Sequence, residues 1–291
     1  MDQTPGSAVE VAGVRRLLAP NPSPLTGPGT NTYLVGRGEV AVVDPGPDDL
    51  AHLAAIREAL GGERVALVLV THAHLDHSAL APRLSAETGA PVLAFGDARA
   101  GRGATPEALD LGGGEGVDAG FVPDRRLADG ERVEVGGETV TALHTPGHFG
   151  NHLSFALRDV VLSGDLALGW ASTLISPPDG DVSAFLASCE RLRALAPRRL
   201  LPGHGEAVDD PPARLDWLVA HRREREAQVL AALREAPADA EALVARLYRD
   251  TPRQLWPAAR RNVLAHLLDL AERGLVAPQG ALGARATFAL T

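Results

Sequence analysis

The chain of 291 residues contains no lysine, and all 28 of its basic side chains are arginine. A lysine clamp on a carboxylate or an oxyanion is therefore excluded, and arginine, with its planar and permanently charged fork, does not replace it one for one. Cysteine occurs once, at Cys189. That rules out an intramolecular disulfide and fits a reducing compartment; within the helical pattern of residues 182–196 a buried, inert thiol is expected. No run approaches the roughly 20 apolar residues of a membrane helix. The opening MDQTPGSAVEVAG has neither the basic start nor the apolar stretch of a secretion signal, so a cytoplasmic protein with no membrane partner is expected. Aromatic residues make up 4% of the chain, which leaves little to stack on nucleic-acid bases, and the formal net charge is −9. A nucleic-acid enzyme normally shows a basic footprint, and none is evident here. The length fits one large domain plus a small one.

Histidine is where the chain becomes informative. Residues 71–77 read THAHLDH, directly after the strand-like VALVLV of residues 65–70. In extended backbone alternate side chains share a face, so His72 and His74 can share one divalent ion while Asp76 and His77 project to a neighbouring position. That is more than one four-coordinate ion needs, and it suggests two ions about 3.5–4 Å apart. Further candidate ligands end three other segments: His148 closes HTPGH, Asp165 follows VVLSG, and His204 sits in LLPGHG. A strand followed by a glycine-containing turn is how a rigid scaffold presents ligands.

The pattern HxHxDH, then a lone His, an Asp and a final His, resembles the metallo-β-lactamase superfamily of binuclear metal hydrolases. The resemblance implies that His72, His74 and His148 hold the first metal, that Asp76, His77 and His204 hold the second, and that Asp165 bridges them. Zinc is the expected ion, and iron or manganese would suit the same ligands. A water between two divalent ions has its pKa lowered toward about 7, so a bridging hydroxide becomes the nucleophile and no serine or cysteine is required; Ser78 then starts a helix. Asp76 is assigned a dual role, as ligand and as acceptor of the water's proton. His152 is assigned to orient a substrate oxyanion or leaving group, with bracing of a ligand as the alternative, and Asp44 is expected to brace the metal loop. The chain departs from the superfamily pattern at Phe149, Gly150 and Asn151, and at Leu166 after the bridging Asp. His52, His221 and His266 fall in helical patterns and are expected to be structural.

Strand-like TNTYLV, VAVVD, VALVLV and PVLAF alternate with helical patterns at 48–60 and 78–88, which indicates a layered α/β architecture. The resemblance makes it a four-layer αβ/βα sandwich over residues 1–211. Residues 96–126 read as a long, mobile loop near the site, and ERVEV with ETVTALH, then HLSFAL with VVLSG, as hairpins. From residue 212 the charge changes sign, with 12 Arg against nine Asp plus Glu, where the preceding part has 16 against 28. Helical patterns at 213–234, 240–248 and 256–273 precede a wing at 274–290, the outline of a small winged-helix-like domain over 212–291. The third helix, NPSPLTGPGTNTYLV and SPPDGD are similar to the superfamily branch that includes the β-lactamase-like protein 2 endoribonucleases.

Metal ligands fix the reaction and not the substrate. The preferred reading is a hydrolase of a small-molecule thioester or ester, similar to the hydroxyacylglutathione hydrolases, with a pocket near Trp170 closed by the C-terminal helices. An endoribonuclease on single-stranded RNA is the alternative that the branch implies, although the net charge disfavours nucleic acid. A third reading is a metal-sensing DNA-binding regulator contacting DNA through Arg260 and Arg261. A homodimer through the C-terminal module is left open.

Overall fold

Strand residues alternate between two cores, and the alternation stacks two sheets face to face. The computed structural model describes residues 8–103, 109, 111 and 114–291. The first sheet runs β1 (Ala8–Val11), β2 (Val14–Leu18), β3 (Asn31–Val35), β4 (Glu39–Val43), β5 (Arg64–Leu69), β6 (Val92–Ala94) and β7 (Arg125–Arg126) in that spatial order. It is antiparallel up to β4 and parallel beyond. The second sheet places β8 (Arg132–Val135), β9 (Glu138–His144), β10 (Leu153–Leu157), β11 (Val160–Gly164) and β12 (Arg199–Pro202) side by side, with only the β11–β12 pair parallel.

In β4, Val40 and Val42 pack with Leu53, Ile56 and Leu84, whereas Ala41 and Val43 join Phe155, Leu162 and Leu201 of the other sheet. In β11, Val160 and Leu162 face that shared core, and Val161 faces Phe185 and Leu218. Helices Leu50–Leu60 and Ala81–Thr88 therefore cover one outer face, and Val182–Ala194 with the first half of Pro211–Glu235 covers the other. This is the expected helix, sheet, sheet, helix order.

The single helix expected at 78–88 is two, Leu75–Ser78 and Ala81–Thr88. Pro82 lies in the first turn of the second, where its missing N–H costs nothing, and its ring would clash inside a longer helix. Four strands carry no clear signal in the sequence: β1, β2, β7 and β12, with β7 inside the stretch expected to be a loop. In β2 the disguise is Arg15, buried and paired to Glu63 at 2.6 Å, which breaks the apolar alternation. The mobility expected for residues 96–126 concerns a stretch of which 104–108, 110, 112 and 113 lie outside the described residues. Its described end is tied to the metal loop, with the Leu75 N–H donating to the Gly116 carbonyl (2.8 Å) and the Asp118 N–H to the Ala73 carbonyl (2.9 Å).

Beyond the sandwich, helices Ala240–Leu247 and Trp256–Glu272 pack with the hairpin β13 (Val276–Pro278) and β14 (Phe288–Leu290) around Val263, Leu267, Leu270 and Phe288. The Pro211–Glu235 helix belongs to both cores: Leu215 and Leu218 pack on the second sheet, and Val229 and Leu233 pack on the C-terminal helices. The expected boundary at 211/212 thus falls at the start of a helix shared by two cores. Among the described residues no helix is long and apolar enough to cross a membrane.

Candidate metal centre

Seven side chains converge where β5, β11 and β12 end and where the β9–β10 connection turns. After β5 the chain bends at Thr71 and His72 and is extended again at His74 (φ −95°, ψ 144°), which caps Leu75–Ser78. His72 and His74 do come together, but through this bend and not through the alternation of a continuing strand, and the short helix turns Asp76 and His77 into the neighbouring space. Gly164 leads into Asp165 and Gly203 into His204. Both must be glycine-sized: a Cβ at 164 would stand 2.5 Å from His152 Nε2, and one at 203 would stand 2.4 Å from Asp165 Oδ1. The sheets are joined here by the Asn31 N–H donating to the Gly203 carbonyl at 2.7 Å.

His74 Nδ1 stands 2.8 Å from His72 Nε2 and 3.1 Å from His148 Nε2. Beside this group, His77 Nε2 and His204 Nε2 are 3.4 Å apart, and Asp76 Oδ2 lies 3.5 Å from the first and 3.4 Å from the second. Asp165 spans both groups, with Oδ1 3.5 Å from His77 Nε2 and Oδ2 3.2 Å from His204 and 3.7 Å from His148. The ligand atoms of His72, His74 and His148, of His72, His77 and Asp165, and of Asp76, His77 and His204 each lie within 4.8 Å of one another.

The bonds behind the rings fix where each lone pair points, because a carbonyl or carboxylate can only accept. His148 Nδ1 donates to the Leu174 carbonyl (2.6 Å), His204 Nδ1 to the Gly29 carbonyl (3.2 Å), and His77 Nδ1 to Asp44 Oδ2 (2.8 Å). The Thr71 hydroxyl gives its proton to Asp44 Oδ2 (2.7 Å), so at 3.0 Å from His72 Nδ1 it accepts. In its neutral form each of the four rings therefore turns its lone pair, on Nε2, inward. Asp44 also takes the Thr71 N–H at 2.7 Å, which is the bracing contact expected of it; the carbonyls of Leu174 and Gly29 carry no sequence signal.

Residues 25–204 match the Metallo-beta-lactamase superfamily, a span that includes all seven side chains. The chain belongs to the metallo-beta-lactamase superfamily. Residues 240–284 match the Beta-lactamase associated winged helix domain. The chain is similar to the Beta-lactamase-like protein 2 homolog of Drosophila melanogaster, with 32% identity over 276 residues, 90% of this chain and 89% of that protein. It is 30% identical over 229 residues to the Atrochrysone carboxyl ACP thioesterase of Aspergillus fumigatus, covering 76% of this chain and 64% of that one. The crystal structure of a metallo-beta-lactamase family protein from Thermus thermophilus shares the fold with a TM-score of 0.78, at 29% identity, over 97% of this chain and 100% of that one. Membership makes this protein a hydrolase and implies divalent metal ions.

The residues of this superfamily member fit such ions. Asp165 Oδ1 is buried with no hydrogen-bond partner, a loss of about 1–3 kcal/mol that a cation beside it would remove. Burial, and then the neighbouring His77, holds His72 well below the usual histidine range, and His74 is lowered to about 3 by burial and by His148. These are neutral nitrogen donors. Around the carboxylates the balance reverses. Burial disfavours charge on His77 and His204, yet Asp76 and Asp165 outweigh it at His77, and Asp165 does so at His204, so both are raised. Burial likewise opposes ionisation of Asp165, and His204 and His77 overcome it and hold the carboxyl well below its ordinary value. That second group calls for positive charge.

Of the two roles set out for His152, its contacts fit the bracing one. It is fully buried, its Nε2 accepts the Asp165 N–H at 3.1 Å, and its Nδ1 faces Thr145 Oγ1 at 3.0 Å, so both ring nitrogens are engaged within the protein. At the point of departure from the superfamily pattern, Asn151 Oδ1 accepts the Ala73 N–H (3.3 Å) and its amide donates to the Asp97 carbonyl (2.9 Å), tying the metal loop to the 96–126 stretch. Ser78 ends the Leu75–Ser78 helix instead of starting one, and its Oγ lies 3.0 Å from the His74 carbonyl and 2.8 Å from Asp118 Oδ2, two acceptors that share its one proton, a structural place. Arg261 is buried, donating to Ser176 Oγ and the Leu111 carbonyl, and Arg260 donates to the Ala284 carbonyl. Of the pair expected to meet DNA, Arg261 is thus committed to the interior, and Arg260 is half-buried with one bond of 3.3 Å.

A cavity of about 430 Å³ opens over His74, Asp76, His148, Asp165 and His204. Leu25 and Trp170 flank its mouth, and the far wall comes from the C-terminal helices through Tyr248, Leu255, Ala258 and Asn262. The closure by Trp170 and those helices is where the sequence reading put it.

Proposed function

We propose that this protein uses two divalent ions to hydrolyse a small-molecule thioester or related ester with an apolar acyl group. The observation that carries this is the cavity wall: among the described residues it holds no arginine, while Glu115 adds a carboxylate to those of the ligands and Asp179, also in the wall, is paired to Arg102 behind it. A phosphodiester backbone needs cations along its path, and this wall offers apolar surface and negative charge. A neutral acyl group suits it. The thioesterase named among the relatives supports the same class.

His72, His74 and His148 would hold one ion, Asp76, His77 and His204 the other, and Asp165 would span them. The ions, when bound, polarise the acyl carbonyl and lower the pKa of water. Zinc suits this nitrogen-rich set with carboxylates. Asp76 is the ligand placed to move a proton: its side chain is 27% exposed and lines the cavity. Its Oδ2 already accepts from Thr30 Oγ1 at 3.0 Å and faces His77 and His204, which leaves Oδ1 to receive the water's proton. Leu25 and Trp170 limit solvent entry, and Leu255 and Ala258 seat the acyl chain.

The reading is tested by metal analysis together with turnover of a panel of acyl thioesters and of labelled single-stranded RNA. Each assay is repeated on the His72→Ala plus His74→Ala protein. Thioester turnover that vanishes in the double variant supports the proposal; metal-dependent cleavage of RNA alone overturns it in favour of a nuclease.

A further inference from the structure

The C-terminal helices reach the metal centre through two side chains. Arg222, on Pro211–Glu235, is only 2% exposed. Its Nη2 donates to the Thr173 carbonyl and its Nη1 to Asn262 Oδ1 at 3.0 Å. Asn262, on Trp256–Glu272, uses the same oxygen to accept the Ile175 N–H at 3.0 Å. Residues 173 and 175 are thus each held from the C-terminal side, and the residue between them supplies the carbonyl to which His148 Nδ1 donates at 2.6 Å. Thr173 Oγ1 stands 3.1 Å from the same nitrogen. No strand or helix includes residues 171–176, so the direction of the Leu174 carbonyl depends on these side-chain bonds.

A buried guanidinium is costly without a counter-charge. Among the described residues Arg222 has carbonyl oxygens as partners and the Phe185 ring at 5.3 Å, with no carboxylate paired to it. Its charge is spent on one bond to the loop behind His148, at the Thr173 carbonyl, and on one to the Asn262 oxygen that holds the same loop at Ile175.

We propose that Arg222 and Asn262 are positioning residues that aim His148 Nε2 at the ion shared with His72 and His74, which makes the winged-helix module part of the metal centre's support. The inference rests on the metal reading above. The partner of a ligand's second nitrogen typically controls metal affinity by about 10–100-fold. Asn262→Leu keeps the volume and removes the acceptor, whereas Asn262→Asp keeps an oxygen for both the Arg222 and the Ile175 N–H groups.

The experiment titrates the metal-stripped full chain with Zn²⁺ against a chromophoric chelator, with thermal midpoints measured in parallel. Val263→Ala, a cavity in the core of the same helix, is the control for a purely structural loss. Asn262→Leu should weaken one of two Zn²⁺ equivalents by about tenfold or more, Asn262→Asp should stay within about threefold of the wild type, and Val263→Ala should lower the midpoint and leave affinity alone. Wild-type affinity in Asn262→Leu, or an equal loss in Val263→Ala, overturns the inference. His148→Ala separates the two levels: if it takes up as much Zn²⁺ as the wild type, the metal reading itself fails, whereas loss of one equivalent there with none in Asn262→Leu sinks only the positioning role.

Discussion

The two halves of the centre are built on opposite electrostatic principles. His72, His74 and His148 are three neutral imidazoles whose burial and mutual proximity suppress their protonation. Asp76, His77 and His204, with Asp165 between, form a group in which carboxylates pull protons onto buried histidines. The first group would take a cation through converging lone pairs, and the second through its two carboxylates, with the cation replacing the protons on His77 and His204. Their supports differ too: Thr71 and the Leu174 carbonyl stand behind the first, and Asp44 and the Gly29 carbonyl behind the second.

Asp165 is the one side chain common to both halves, so its loss should have the largest effect. Asp165→Asn keeps the volume and removes the charge facing His204 and His77. Both ions should be bound more weakly and thioester turnover should fall by about a thousandfold, the equivalent of several kcal/mol of lost polarisation. Metal analysis beside kcat/KM checks it, and a variant that keeps full turnover would show that the halves work independently. Next, Asp76→Ala, assayed with metal restored to the wild-type content, should still lose about 10²-fold in kcat if Asp76 handles the proton. Unchanged turnover at full metal content would reduce Asp76 to a ligand.

The comparison sharpens with Asp44→Asn. Asp44 backs His77 directly and touches His72 only through Thr71. Affinity for the ion at Asp76, His77 and His204 should drop by about tenfold, with a smaller change at the other. Stoichiometric titration resolves the two equivalents, and an equal loss at both would mean that Thr71 transmits the change across the centre.

The convergence of the seven candidate ligands was legible in the sequence because they are chemically distinctive side chains at strand ends, and strand patterning survives burial on both faces, as in β4 and β5. What stayed hidden has physical reasons. β12 is a four-residue strand between arginines and a Pro-Gly turn, and β2 is interrupted by a buried Arg15 that finds Glu63 across the fold. The supporting acceptors are backbone carbonyls, which every residue owns. His152 has the same ring as the ligands, and nothing in the sequence says that its Nε2 is spent on the Asp165 N–H; only the approach over Gly164 shows that.

Buried histidines outside the centre give the smallest expected effect and bound the comparison from the other side. His266 is fully buried, and neither of its ring nitrogens has a partner among the described residues. Burial, and then the cations of Arg222 and Arg225, lower it to about 3, with no carboxylate to draw a proton back as at His77. The unfolded chain takes up this proton as pH falls below the ordinary value of 6.5 and the native protein does not, so the stability it contributes is complete above that value and declines toward acid. The slope is at most about 1.4 kcal/mol per pH unit. Between pH 7.5 and 5.5 (conditions about one unit on either side of the ordinary value) His266→Met should lose about 1.4 kcal/mol less stability than the wild type in denaturant titrations. The metal ligands titrate in both proteins, so their part cancels in the difference. Equal slopes would mean that the native protein opens locally to protonate His266, and that burial beside Arg222 and Arg225 enforces neutrality less firmly than burial among the rings around His72.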